Sequence, residues 1–265
     1  MRPWRPTLRP SAWLAIAAAW AFGLAASAAP PAPTATSADA VCRVLTFEGD
    51  AFIVCRYDRQ TDELRLVWQG AGGKPLGSLP ALKKHLGEDS GRVLFAMNAG
   101  MYDPAQRPVG LFVEEGRLVR PLERGVGQGN FYLKPNGVFW VDGAGVPRVD
   151  ETETYARDAD VPQWATQSGP LLVTAKRLHP RILANGSSRY VRNAVGVAWG
   201  AEAFFVISRR PVSLGRMARF MRDELGCVEA LYLDGAVSSL WSPELGRMDR
   251  RKGLGPMVVV SKAKS

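Results

Sequence analysis

Short apolar or alternating runs, each bounded by turn residues, fill the chain from position 41 onward. Runs at 43–47 and 51–54 flank Glu48-Gly49-Asp50 and predict a hairpin. Further runs at 64–68, 93–97, 110–114, 131–133, 138–141, 194–199, 203–207, 230–233 and 257–260 have strand length. Glu115-Gly116, Pro135-Asn136-Gly137, Asp142-Gly143 and Gly200-Ala201 punctuate them. Two segments read as helices. Ser78 caps a short one, with Pro80 in its first turn and Gly87 past its end. Ser213 caps a longer one, in which Leu214, Met217, Ala218, Met221 and Leu225 recur at helical spacing before Gly226. Hairpin-length connections outnumber crossover helices. The pattern therefore predicts an α+β fold: a single domain built on a large mixed or antiparallel twisted sheet with few helices, rather than a doubly wound α/β arrangement.

The first forty residues follow a different rule. Arg2, Arg5 and Arg9 precede an uncharged apolar stretch, 12–24, and Ala26-Ser27-Ala28 has the small-x-small form of a leader cleavage site. Residues 1–28 are expected to be a signal peptide, 29–40 a Pro- and Ala-rich linker, and 41–265 the folded domain. The alternative is an uncleaved anchor, since 11–29 is nearly long enough to span a bilayer. With cleavage the protein is periplasmic or secreted and keeps no stable membrane span. The formal charge of +9 includes those three arginines and no acid before Ala29, which leaves +6 on the exported part. That balance favours anionic partners such as phosphorylated or wall glycans, although an Arg-rich composition alone has the same appearance. No nucleic acid is expected.

Of three cysteines, Cys42 and Cys55 flank the first hairpin. They close a disulfide in an oxidising compartment if their Cα atoms come within about 7 Å. Cys227 is then the odd one, a small buried hydrophobe rather than a nucleophile. Only two histidines occur, and no Cys or His pair has the close spacing of a zinc site, which argues against a transition-metal enzyme.

Candidate chemistry lies where polar residues end apolar runs. The run 93–97 leads into Asn98-Ala99-Gly100, 230–233 leads into Asp234-Gly235, Arg192-Asn193 precedes 194–199, and Gln167-Ser168-Gly169-Pro170 precedes Leu171. Each has an ordinary alternative in turn chemistry, a cap or a structural ion pair.

The segments Phe95-Ala96-Met97-Asn98-Ala99-Gly100-Met101-Tyr102, Pro108-Val109-Gly110-Leu111, Asn130-Phe131-Tyr132-Leu133-Lys134-Pro135-Asn136-Gly137-Val138, Gln167-Ser168-Gly169-Pro170, Arg192-Asn193-Ala194-Val195-Gly196-Val197 and Leu231-Tyr232-Leu233-Asp234-Gly235 resemble, in order, the bacterial branch of the phosphodiester glycosidase domain family. That family also contains the lysosomal uncovering enzyme, which removes N-acetylglucosamine from a sugar phosphodiester. The resemblance implies an exported hydrolase acting on a sugar 1-phosphodiester in a glycan, wall or exopolysaccharide component. Where many relatives carry Asp-Gly-Gly-Gly-Ser, this chain has Asp234-Gly235-Ala236-Val237-Ser238, a change that narrows backbone approach to a ligand.

Expelling a phosphate monoester needs little acid assistance. What it needs is a cation for the phosphate, a carboxylate near the anomeric carbon and donors for the sugar. Arg192 supplies a bidentate guanidinium. Asp234 is the leading carboxylate, as nucleophile or as base for water. Asn98, Asn193, Ser168 and Ser238 orient oxygens, Gly100 and Gly235 leave room, and Lys134 adds charge. Asp103 and Glu114 are fallback carboxylates. His179 is a candidate proton carrier, with a surface histidine as its plainer reading. No cofactor is required by this scheme. Two alternatives stay open: a non-catalytic binder of phosphorylated glycans, and a phosphodiesterase in which Asp234, Asp103 and Asn98 hold Mg²⁺ or Ca²⁺.

Overall fold

The computed structural model describes residues 1, 40–158, 162–198 and 202–264. The expected leader and nearly all of the linker, and the Gly200-Ala201 turn, lie outside the described residues. From residue 40 onward the chain is a single α+β domain dominated by strands. Among the described residues every strand pairing is antiparallel. The strands divide among three sheets. The largest runs, in spatial order, Cys42–Phe47, Asp50–Asp58, Glu202–Ser208, Asn193–Val197, Glu229–Asp234, Leu171–Thr174 and Arg177–Leu178. A second contains Arg247–Met248, Leu240–Ser242, Val93–Asn98, Met257–Lys262 and Asp62–Val67. The third contains Arg117–Arg120, Phe112–Glu114, Trp164–Ser168, Gly137–Val141 and Pro147–Glu151.

Period-two alternation sorts the side chains between layers. In Asp50–Asp58, Ile53, Cys55 and Tyr57 enter the central core while Phe52 and Val54 enter a layer on the opposite face. In Met257–Lys262, Val258 and Val260 point to the centre, and Met257 and Val259 point away from it. All three sheets feed the central core. Phe205 of the first sheet meets Phe95 of the second and Phe139 of the third, each with ring centroids 5.4 Å apart.

Helices cover the outer faces. Ser78 Oγ accepts the Ala81 N–H to start Leu79–Leu86, Pro80 lies in its first turn, and Gly87 ends it; Leu79 and Leu82 pack on the second sheet. Ser213 likewise starts Leu214–Arg219, which continues as a π-helical turn, Phe220–Glu224, and ends at Gly226 with φ of 65°. Its Met217, Phe220 and Met221 cover the outer face of the seven-stranded sheet. Cys42 and Cys55 stand directly opposite each other with Cα atoms 4.0 Å apart and are disulfide-bonded, while Cys227 is a buried free thiol.

Three local outcomes differ from the pattern. The run 131–133 is a 3₁₀ turn, Asn130–Tyr132, because Asn136 Nδ2 donates to the Phe131 carbonyl that a neighbouring strand would otherwise use. The helix Thr152–Asp158 has no apolar stripe to announce it; the Glu151 carboxylate starts it by accepting the Glu153 and Thr154 N–H groups. The strand Trp164–Ser168 is buried throughout despite Thr166, Gln167 and Ser168. Gln167 is fully occupied: its Oε1 accepts from the Leu111 and Glu123 N–H groups, and its Nε2 donates to Glu123 O and Thr152 Oγ1.

Candidate active site

Strands from two sheets deliver their polar ends to one place. Asn193 stands opposite Asp234 in the pairing of Asn193–Val197 with Glu229–Asp234, and the register shifts between Asn193 and Ala194. Such a bulge re-aims the residues beside it. Asn193 Nδ2 donates to the Asn98 carbonyl at 2.8 Å, tying the first sheet to the end of Val93–Asn98 in the second. Ser238 Oγ lies 3.3 Å from Asn193 Oδ1 and 3.1 Å from the Asp234 carbonyl. Asn98 Oδ1 accepts the Ser239 N–H at 2.9 Å. The Asn98 Nδ2 is buried with no acceptor among the described residues. This network fixes the backbone immediately after Asp234.

A cavity of about 340 Å³ opens beside that turn, lined in part by Met101, Asn130, Tyr190, Tyr232, Asp234 and Gly235. Asp234 is the one carboxylate among its lining residues. Its Oδ1 accepts the Gly235 N–H at 2.5 Å and the Ala236 N–H at 2.8 Å. Burial raises the Asp234 pKa above the ordinary aspartate value, while the N–H groups of Ala236, Gly235 and Val237 and the Arg251 charge oppose the rise. Burial also pushes up the Tyr102 and Tyr232 hydroxyls, and the Asp234 charge adds to both shifts; for Tyr232 the Arg192 charge works against them.

Arg192 reaches this site in a form the sequence did not suggest. It is 1% exposed. Its Nε donates to Val212 O at 2.8 Å, its Nη1 to Tyr232 Oη at 2.8 Å, and its Nη2 to Ser188 O and Oγ at 2.9 and 3.2 Å. The guanidinium also lies 5.3 Å from the ring centroids of both Tyr190 and Tyr232. An open bidentate fork is therefore not presented to the cavity, because neutral acceptors hold four of its hydrogen bonds. Nor is it a structural ion pair, since none of those acceptors is a carboxylate.

The other expected residues divide. Asn193, Ser238, Asn98 and Gly235 converge with Asp234. Ser168 is buried and donates to the Leu233 carbonyl at 2.9 Å, so it braces the strand behind Asp234. Gly100 leaves no room for a ligand: a Cβ there would stand 2.3 Å from Gln167 O and 2.5 Å from Thr166 Oγ1, so its smallness lets protein pack. Lys134 does not line the cavity; its ammonium donates to Arg124 O at 2.7 Å. Asp103 spends its carboxylate on Arg107 and on the Ala105 and Arg107 N–H groups of its own turn, and Glu114 pairs with Arg117. The proposed trio of Asp234, Asp103 and Asn98 thus loses a donor. Among the described residues no three His, Cys, Asp or Glu side chains form a group that could hold a metal ion. His179 is buried rather than on the surface, with Nδ1 accepting the Arg181 N–H at 3.1 Å, and burial lowers its pKa.

Sequence singles out neither Tyr190 nor Tyr232: Tyr232 lies inside an apolar run and reads as core, and Tyr190 lies in a polar stretch between Arg189 and Arg192 and reads as surface. The available signal was spacing: each stands two residues before a polar site residue, Arg192 and Asp234, and alternate residues of an extended chain share a side.

Residues 91–252 match the family described as phosphodiester glycosidase. An uncharacterized Escherichia coli (strain K12) protein, YigE, is 35% identical over 184 residues, which are 69% of this chain and 70% of that one. The catalytic domain of zebrafish N-acetylglucosamine-1-phosphodiester alpha-N-acetylglucosaminidase, auto-inhibited by its pro-peptide, has a similar fold, with a TM-score of 0.59 at 12% identity over 84% of this chain and 82% of that one. A hypothetical protein from Synechocystis has a TM-score of 0.50 at 16% identity, over 84% and 61% of the two chains.

Proposed function

The chain belongs to the phosphodiester glycosidase family, and from that premise we propose that it is an exported hydrolase cleaving the glycosyl–phosphate bond of a sugar 1-phosphodiester in a glycan, wall or exopolysaccharide component. The observation that carries this reading is the position of Asp234, the one carboxylate among the residues lining the cavity beside the convergent strand ends. Hydrolysis breaks the bond between the anomeric carbon and the phosphate oxygen, and the phosphate monoester leaves with the bonding electrons. Water supplies the oxygen that replaces it and gives up a proton. A single carboxylate suffices for the protein's part, as base for that water or as the nucleophile that water later displaces, because the leaving group departs as a stable anion. The N–H groups of Gly235 and Ala236 hold Asp234 in place and support its ionised form.

The test uses the purified protein with a panel of sugar 1-phosphodiesters and teichoic-type polymers, reading free sugar and phosphate monoester separately. Equal release of both is expected from at least one substrate. Asp234→Asn is expected to lower kcat by about 10²- to 10⁴-fold without raising KM. Wild-type turnover by the folded variant would remove Asp234 from the chemistry.

A further inference from the structure

A guanidinium sealed inside a protein ordinarily keeps a carboxylate beside it, because burying a charge without a counter-charge is costly. Arg192, 1% exposed, has only a phenol, a hydroxyl and two carbonyls as hydrogen-bond acceptors. The phenol is the informative one. Tyr232 Oη accepts from Arg192 Nη1 at 2.8 Å, and a phenol that accepts still has its own O–H to donate. No described residue accepts that proton. Tyr232 lines the cavity two residues before Asp234. Tyr232 is 1% exposed and its hydroxyl lies against Gly235, where only the missing side chain leaves it space, since a Cβ at that position would stand 2.0 Å from Tyr232 Oη. A donor polarised by a neighbouring cation, on a residue that lines a cavity, and lacking an acceptor among the described residues is suited to an anionic oxygen.

We propose that Tyr232 is the residue that holds the phosphoryl group, donating its O–H to a phosphoryl oxygen of the substrate, and that Arg192 is a positioning residue acting through it. This rests on the sugar phosphodiester reading and specifies the phosphate contact within it. Arg192 supplies the positive charge that balances phosphate beside Asp234, but delivers it through the phenol rather than by a direct fork.

Binding is measured by calorimetry with methyl phosphate, a probe that is not turned over. Tyr232→Phe is expected to weaken methyl phosphate binding by about 10- to 100-fold, the ratio typical of losing a hydrogen bond to a charged group. Because that variant also deprives Arg192 of an acceptor, Gly235→Ala provides a second route: its methyl group displaces or covers the hydroxyl, and a similar loss is expected. Arg192→Lys should weaken binding in the wild-type background but have little further effect on Tyr232→Phe. Asp234→Asn should tighten methyl phosphate binding by removing a nearby negative charge. The proposal is overturned if wild-type protein does not bind methyl phosphate, or if a folded Tyr232→Phe or Gly235→Ala protein binds it within twofold of wild type. Loss of binding in Tyr232→Phe together with full turnover by Asp234→Asn would keep the phosphate contact and discard the catalytic reading. An inactive Asp234→Asn with unaltered binding in Tyr232→Phe would do the reverse.

Discussion

Asp234 sits where burial opposes its charge. Burial raises its folded-state pKa above the ordinary value of 3.8, against the pull of three backbone N–H groups and Arg251. A raised folded pKa means that the protonated form is favoured by folding. That contribution is complete below the unfolded value and is lost as pH rises through the folded one, so near neutral pH the ionised carboxylate costs stability. Asp234→Asn should therefore melt at or above the wild-type temperature near pH 7, with the difference closing below pH 3.8. A clear fall in melting temperature at neutral pH would show that the backbone hydrogen bonds outweigh burial. On the proposed role of Asp234, turnover should fall away on its acidic limb at a pH above the ordinary aspartate value. Sequence made Asp234 legible as a polar residue ending an apolar run. It did not make Tyr232 legible, because the role of that phenol depends on which donor meets its oxygen.

Among the elements, the first hairpin and the capped helices were the most readable, since their signals are local: a Gly-centred turn, Ser at each helix start and Gly after each end. The disulfide belongs to this scale. It closes a segment of 13 residues in sequence separation and joins directly paired positions. A loop of that size corresponds to about 3 kcal/mol of stability in the chain-entropy account. Replacing both Cys42 and Cys55 by Ala should lower the unfolding free energy in denaturant by about that amount. It should leave kcat/KM of the folded protein unchanged, because Cys55 lies in the row through Phe205, Val195 and Leu231, whereas Asp234 ends the row through Asn193, Ile207 and Ile53. A parallel loss of activity under conditions where the variant is folded would contradict that separation. Of the elements that escaped sequence, Thr152–Asp158 starts on the carboxylate of its neighbour Glu151 without an apolar stripe, whereas Trp164–Ser168 is specified by the distant partners of Gln167 rather than by its own periodicity.

At the scale of the domain, three antiparallel sheets among the described residues share one core, and the candidate site forms where two of them are joined by Asn193 and Asn98. Export remains part of the proposal. The arginines at positions 2, 5 and 9 and the Ala26-Ser27-Ala28 site motivate the expectation that protein recovered from its native host begins after Ala28 or one residue later. Mass spectrometry decides this, and a chain that retains Arg2 to Arg9 would remove it. By itself the sequence determined the class of fold, the places where strands end in polar residues, the pairing of Cys42 with Cys55 as an available outcome, and the family. Those properties depend on alternation, caps, turns and motif order, which neighbouring residues specify among themselves. Only the tertiary structure decided that Gly100 and Ser168 serve packing, that Lys134 stays outside the cavity, and that Arg192 bonds to Tyr232, Val212 and Ser188 instead of presenting a fork. The physical reason is that these contacts join residues up to dozens of positions apart through a particular register and a particular bulge. A side chain's free donors are those left over after that assembly is complete.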